Sequence, residues 1–295
     1  MRYLIIIFLL LLLGYILITI YSSIEARTLV KSYARLHKAK STSNDTKIIT
    51  KHKTSYKKVR SYKDLSPSEN TRVLFFSDLH AEYCFIPAEV VCNSIRESKV
   101  DAVVFGGDIC NDPLKYKTGI NYLQTIKATC DELGIPFLGV TGNHDIHLTS
   151  EQIHEAGFFD LRKNTYELKD LLFSGVNDTG RKQRVWADNP VSDTNGKTHV
   201  LISHNPDWML YAADKGQLTN VDHMLSGHIH GGQFRFPFRI EIMMIRKDIL
   251  PRRKVEDGVF DGGGLTFFIS RGIGCVLIPF RFLAKPEITV VEFEK

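Results

Sequence analysis

The sequence predicts an α/β layered domain behind one N-terminal transmembrane helix, and three observations predict it. The 22 residues from Tyr3 to Ile24 pass without a charge. From Arg72 onward, short apolar runs end repeatedly in Asp, Gly, Asn or His. Helix-length stretches separate the early runs, and the later half is richer in strands, as in layered α/β architectures.

Twenty or so apolar residues cross the hydrocarbon core of a bilayer as a helix. A secretory signal would have a shorter apolar region and a small-x-small cleavage site, neither of which is present, so residues 1–24 read as an uncleaved anchor. Only Arg2 precedes the span, whereas Arg27, Lys31, Arg35, Lys38 and Lys40 follow it. The positive-inside bias then leaves the large C-terminal part on the cytoplasmic face. No twin-arginine pair supports export by that route. Residues 25–70, rich in Lys, Ser, Thr and Asn, read as a basic polar linker. Beside a span, such a strip also suits anionic headgroups, at about 1 kcal/mol per cation.

The domain proper is expected over residues 71–295. "RVLFFSDLH", "DAVVFGGD", "PFLGVTGNHD", "THVLISHNPD", "VDHMLSGHIH" and "LTFFISRGIG" each carry a run of buried-strand composition. "PAEVVCNSIRES" and "TGINYLQTIKATCDELG" read as helices, the second stopping at Gly134 before a proline. "GGG" at 262–264 lacks the Lys and Ser/Thr of a phosphate loop and precedes a strand, so it reads as a turn.

The net charge of +5 is modest, and the first 70 residues supply more than all of it. Neither that charge nor any basic and aromatic platform points to nucleic acid. The five cysteines form no C-x-x-C pair, so no zinc ribbon is legible, and their scatter fits a reducing compartment.

The strand ends carry the chemistry: Asp78, His80, Asp108, Asn143, His144, His204, His228 and His230. Any one of them could cap a helix or close a turn. Together, at the carboxyl ends of successive strands, they form the set expected at the active site of such a sheet. Mixed imidazole and carboxylate donors suit Mn, Fe, Zn or Ni and argue against a soft thiolate site. Eight such residues are about what two divalent ions require.

"SDLH", "GGD", "GNHD", "SHNPD" and "SGHIHGGQ" occur in the order and spacing of the calcineurin-like metallophosphoesterases. The chain resembles in particular their bacterial membrane-tethered branch, through "SGHIHGGQ" and through "SRGIGCVLIPFRFLAKPEI" at 270–288. The resemblance implies a four-layer αββα sandwich of two mixed sheets flanked by helices. It implies that Asp78, His80 and His230 hold one metal, that Asn143, His204 and His228 hold the other, and that Asp108 bridges them. His144 would then be the acid beside the metals, oriented by Asp145. Asn111 stands where some relatives carry Asp, a change of support and not of ligand.

Two cations about 3.5–4 Å apart can lower the pKa of a shared water and neutralise the in-line phosphoryl transition state. The expected activity is therefore phosphodiester or phosphoanhydride hydrolysis by a bridging hydroxide, with Mn the metal most readily used in vitro. A lipid-linked substrate is one candidate, and a pyrophosphatase of the UDP-diacylglucosamine type is an alternative. A membrane-tethered metal-binding scaffold without turnover is the rival of another class. Residues 232–254 mix apolar and basic side chains and read as an edge hairpin, or else as a lip that touches membrane.

Overall fold

A computed structural model describes residues 2–39, 45–178, 186–235 and 247–294. Helix α1 (Arg2–Ala26) leads into β1 (Val30–Leu36), β2 (Thr50–Lys51) and β3 (Tyr56–Val59). The alternating part follows: β4 (Thr71–Phe76), α2 (Ala88–Ser98), β5 (Ala102–Phe105), α3 (Tyr116–Leu133), β6 (Phe137–Gly139), α4 (Ser150–Glu155) and β7 (Phe159–Asp160). The second half holds β8 (Tyr166–Leu168), β9 (Leu171–Val176), β10 (Thr198–Ser203), α5 (Trp208–Asp214) and β11 (His223–Ser226). It closes with α6 (Ile249–Arg252), β12 (Gly258–Gly262), β13 (Leu265–Ile269) and β14 (Glu287–Phe293).

Two mixed seven-stranded sheets result, ordered β3-β1-β14-β4-β5-β6-β7 and β2-β12-β13-β11-β10-β9-β8. The period of two along each strand decides which layer a side chain joins. On β4, Val73 and Phe75 point between the sheets, where they meet Phe173, Val200, Ile202 and Phe268 of the second sheet. Leu74 and Phe76 point outward and pack with Val91 and Ile95 of α2 and Leu123 and Ile126 of α3. On the far side, Leu201, Met224 and Phe267 meet Trp208 and Met209 of α5. Helix, sheet, sheet and helix therefore form four layers, as the resemblance implies. The runs are apolar throughout because strands buried on both faces cannot alternate.

Helix α3 ends where expected. Gly134 takes a left-handed φ of 66°, and its N–H returns to the carbonyls of Cys130 and Asp131. Gly263 and Gly264, with φ of 65° and 83°, turn β12 into β13 as a two-residue hairpin.

The stretch expected to be a linker, residues 25–70, contributes strands to both sheets. Strand β1 lies inside the first sheet, parallel to β14 from Val30↔Glu287 to Leu36↔Phe293 and antiparallel to β3. Its charges hide it from a sequence reading, because their partners come from far along the chain. Lys31 pairs with Glu97 at 2.7 Å, and Arg35 lies 3.6 Å from Glu292 and 3.4 Å from Glu294. The folded domain thus begins at Val30 and not near residue 71, and these two cations are turned to carboxylates of the domain. Of the 232–254 stretch, Phe236, Phe238 and Met243 lie outside the described residues.

Candidate metal centre

The folding pattern delivers polar residues to one end of the sandwich. Asp78 and His80 follow β4, Asp108 follows β5, Asn143 and His144 follow β6, His204 follows β10, and His228 and His230 follow β11. Those strands run parallel within each sheet, so their carboxyl ends lie together. Backbone conformation then aims the side chains. Asp78, His80, Asp108, His228 and His230 all have positive φ, between 38° and 69°. Non-glycine residues rarely adopt this region, and such strain concentrates at functional sites. Two glycines let the loops close. A Cβ on Gly227 would lie 2.5 Å from Asp78 Oδ2, and one on Gly142 would strike the Asp108 carboxylate.

The ligand atoms fall into two groups, Asp78/His80/His230 and Asp108/His204/His228. His80 Nε2 and His230 Nε2 are 3.2 Å apart, and His230 Nε2 lies 3.3 Å from Asp78 Oδ1. Asp108 Oδ2 is 3.1 Å from His204 Nε2 and 3.4 Å from His80 Nε2, so one carboxylate reaches both groups. Bonds of about 2.1 Å to a shared cation set neighbouring donors about 3.0–3.4 Å apart.

Unsatisfied atoms give the same fit. Asn143 Oδ1 is buried without a hydrogen-bond partner. So is His204 Nε2, which is near Asp108 but poorly aligned with it. His204 Nδ1 is 2.7 Å from the Gly106 carbonyl, the contact that turns Nε2 toward the centre. Unpaired buried polar atoms cost roughly 1–3 kcal/mol each, and divalent cations would relieve them.

Electrostatics reflect a crowded set of charges. Burial raises the Asp78 carboxyl. Burial also opposes ionisation of Asp108, but the facing His204, with His80 and His144, holds it well below the usual range. Burial pushes His80 down to about 3, so its imidazole is neutral and suited to ligation.

His144 stands beside the candidate ligands, its ring edge-on to His80 at 4.9 Å, and its backbone N–H donates to Asp108 Oδ1 at 2.9 Å. Asp145 does something other than orient His144. Its carboxylate is buried and accepts from the backbone N–H groups of Asp108 (2.9 Å), Ile109 (2.8 Å) and Gly142 (2.8 Å). It is therefore a clamp that joins the β5 and β6 loops. Burial, with the charge of Asp108, pushes it up to about 7. Asn111 is also structural. Its N–H donates to Glu82 and its amide to the Cys275 carbonyl, at 2.9 and 3.3 Å.

Other residues of the site were not visible as motifs. Asp248 Oδ1 lies 3.3 Å from His228 Nε2, supplying the carboxylate that commonly orients a ligating histidine. Fully buried Arg281 donates to the carbonyls of Arg271, Gly274 and Ala284, and its guanidinium lies 3.4 Å from His230 Nδ1. Asp248 sits in the stretch set aside as a hairpin. Arg281 sits in the matched "PFRF" segment, the only signal that could have found it. Burial pushes the thiols of Cys84 and Cys110 up to about 12, which leaves these neighbours of the site unreactive.

Comparison with known proteins agrees with this geometry. The model of the family described as calcineurin-like phosphoesterase matches residues 71–232. The uncharacterized metallophosphoesterase YkuE of Bacillus subtilis is 31% identical over 236 residues, covering 74% of this chain and 77% of its own. YkoQ of the same organism, an uncharacterized metallophosphoesterase, is 25% identical over 236 residues, 76% and 84% of the two chains. The phosphodiesterase YaeI of Escherichia coli is 28% identical over 246 residues, 75% and 81% of the two chains.

Proposed function

This chain belongs to the calcineurin-like phosphoesterase family, and from that premise we propose that it hydrolyses phosphodiesters at a dinuclear metal centre beside a membrane. The family binds two divalent metals, and the buried clusters provide donors for both. One observation carries the reading: the Asp108 carboxylate stands within 3.4 Å of ligand nitrogens from both groups. A pair of bound ions supplies Lewis acidity toward phosphoryl oxygens and lowers the pKa of a shared water. The chain's own work is positioning. Asp78, His80 and His230 hold one ion, Asn143, His204 and His228 the other. Asn143 contributes a neutral oxygen where an anionic substrate enters. His144 protonates the leaving oxygen, general-acid work often worth about 10²- to 10⁴-fold. With Mn, purified protein is expected to hydrolyse a bis-aryl phosphate and to carry metal at the centre. Metal binding without turnover on any phosphoester would instead favour the scaffold reading.

The membrane enters through the way α1 meets the domain. Its apolar stretch, Tyr3–Ala26, is 24 residues, about 36 Å of helix against a hydrocarbon core of about 30 Å. The Ser22 carbonyl accepts the Arg281 N–H at 3.2 Å, and Tyr21 packs edge-on to Phe282 at 5.5 Å. Strand β1 starts directly after, and its direction is opposite to that of β4 through β14. The anchor therefore joins the sandwich at the end that carries the ligands. The same 276–282 segment wraps the residues after His230, since Gln233 Nε2 donates to the carbonyls of Val276 and Ile278 at 3.0 and 3.2 Å. Leu277, Ile278 and Leu283 are 72%, 48% and 51% exposed on this rim.

An apolar rim between an anchor and a metal centre suits a substrate whose phosphoryl group sits in a lipid headgroup. Nucleotide-linked lipids would meet the same rim, so the pyrophosphatase reading stays as the second. Replacing Leu277, Ile278 and Leu283 with Ser should spare hydrolysis of a soluble ester and lower that of a phospholipid in vesicles. Equal loss on both would refute a lipid-facing rim. The charge bias after the span favours the cytoplasmic side; protease added to right-side-out vesicles should then spare the domain, and digestion would overturn that orientation.

A further inference from the structure

A second assembly of metal-type donors lies at the other end of the sandwich, outside the centre described above. His37 follows β1, His52 follows β2, and Asp261 lies on β12. Because β1 runs opposite to β4, and Asp261 pairs with Thr266 near the start of β13, this assembly is remote from the strand ends that carry Asp78 and His228. Its three ligand atoms lie within 4.8 Å of one another.

From this geometry we infer that His37, His52 and Asp261 form a third, mononuclear site for a borderline divalent ion such as Zn²⁺. Asp261 Oδ2 is 2.7 Å from His52 Nε2 and 3.4 Å from His37 Nε2, and the two rings meet edge-on at 4.7 Å. The short His52 contact is not a hydrogen bond, for His52 Nε2 is a buried atom with no aligned partner. Two imidazole nitrogens converging on one carboxylate oxygen, His37 Nε2 in hydrogen-bond geometry with it and the closer His52 Nε2 out of alignment, are an arrangement one cation would satisfy, with bonds of about 2.0–2.1 Å. The other carboxylate oxygen is already held. The Thr266 hydroxyl lies 2.7 Å from Asp261 Oδ1 and 2.7 Å from the His37 carbonyl, an outer contact of the kind that orients ligands. Two histidines and one carboxylate suit zinc, with a water completing four-coordination. The side chains are 20–23% exposed, enough to admit that water and to exchange the ion.

The site would act as a clamp. His37 extends a strand of the first sheet, whereas His52 and Asp261 belong to the second. One ion would therefore tie the segment behind the anchor across the open end of the two sheets. Metal binding of this kind stabilises the native state by mass action.

The test uses full-length protein in detergent, equilibrated with Zn²⁺ and analysed for bound metal. Wild type is expected to hold three ions per chain, and His52→Gln and Asp261→Asn two each. Asp108→Ala should lose ions of the dinuclear centre and keep the distal one. His52→Gln should retain wild-type hydrolysis of a bis-aryl phosphate, which distinguishes loss of this site from failure of the catalytic one. The Zn²⁺-dependent rise in melting temperature should shrink in both distal variants. Two ions in wild type, or an unchanged count in His52→Gln, would leave the cluster a metal-free set of side-chain contacts and overturn the proposal.

Discussion

The two His/Asp assemblies sit at opposite ends of one sandwich and are built differently. At the strand carboxyl ends the candidate ligands other than Asn143 are almost wholly buried, and five of the residues have left-handed φ. At the far end, His37, His52 and Asp261 are partly exposed and none has positive φ. The buried centre is therefore organised by the fold at a cost in backbone strain and desolvation, in the manner of a site that must be ready before its ligand arrives. The distal cluster asks no left-handed backbone of the fold. An ion there would add stability without being needed to shape the backbone.

That contrast can be broken from its strong side. Asp108→Ala removes the one carboxylate shared by both central groups. Hydrolysis of a bis-aryl phosphate should fall to background, with loss of central metal and retention of the fold by circular dichroism. Residual turnover above about one percent would mean that the two groups work independently. Asp145→Ala comes next. It orphans three buried backbone N–H groups, each costing roughly 1–3 kcal/mol, so denaturant unfolding should show a loss of at least about 3 kcal/mol. If Asp145 instead served only to orient His144, activity would fall with stability unchanged.

Asp248→Asn is milder. Removing a carboxylate behind a ligating histidine typically weakens metal affinity about 10- to 100-fold, and titration should place that loss at one ion of the central pair. Equal weakening of both ions would show that Asp248 acts on the whole loop. The smallest effect concerns rates. A chelator should strip the partly exposed distal ion before the buried pair, giving a first phase with a small drop in melting temperature and no loss of turnover. A single phase in which metal and activity disappear together would erase the distinction between the two ends.

Much of this molecule is legible before folding is considered. Phe76–Asp78, Phe105–Asp108 and Leu225–His228 each show an apolar run halted by ligand-type residues, which is how a parallel strand ends at a site. The helix stop at Gly134 and the hairpin at Gly263–Gly264 depend on local φ, so local sequence suffices for them. Strand β1 is hard to see in the sequence because "VKSYARL" mixes Lys31, Ser32 and Arg35 with its apolar residues, and the carboxylates that accept those charges are Glu97, Glu292 and Glu294. Asp145 was misassigned because its partners are backbone N–H groups, which have no signature in the side-chain sequence.

The sequence by itself determined where the buried strands end, the residue types of the centre and the presence of an apolar helix long enough to span a bilayer. Those properties follow from hydrophobic periodicity and donor chemistry, both local. Tertiary structure alone decided that one carboxylate stands near both groups, that Arg281 and Asp248 stand behind the histidines, and that the apolar N-terminal helix meets the domain beside the candidate metal centre. It also brought Asp261 to His52 and to His37, the latter 224 residues earlier in the chain. Such contacts are set by the pairing of β1 with β14 and of β2 with β12, and no local pattern encodes the partner of a strand.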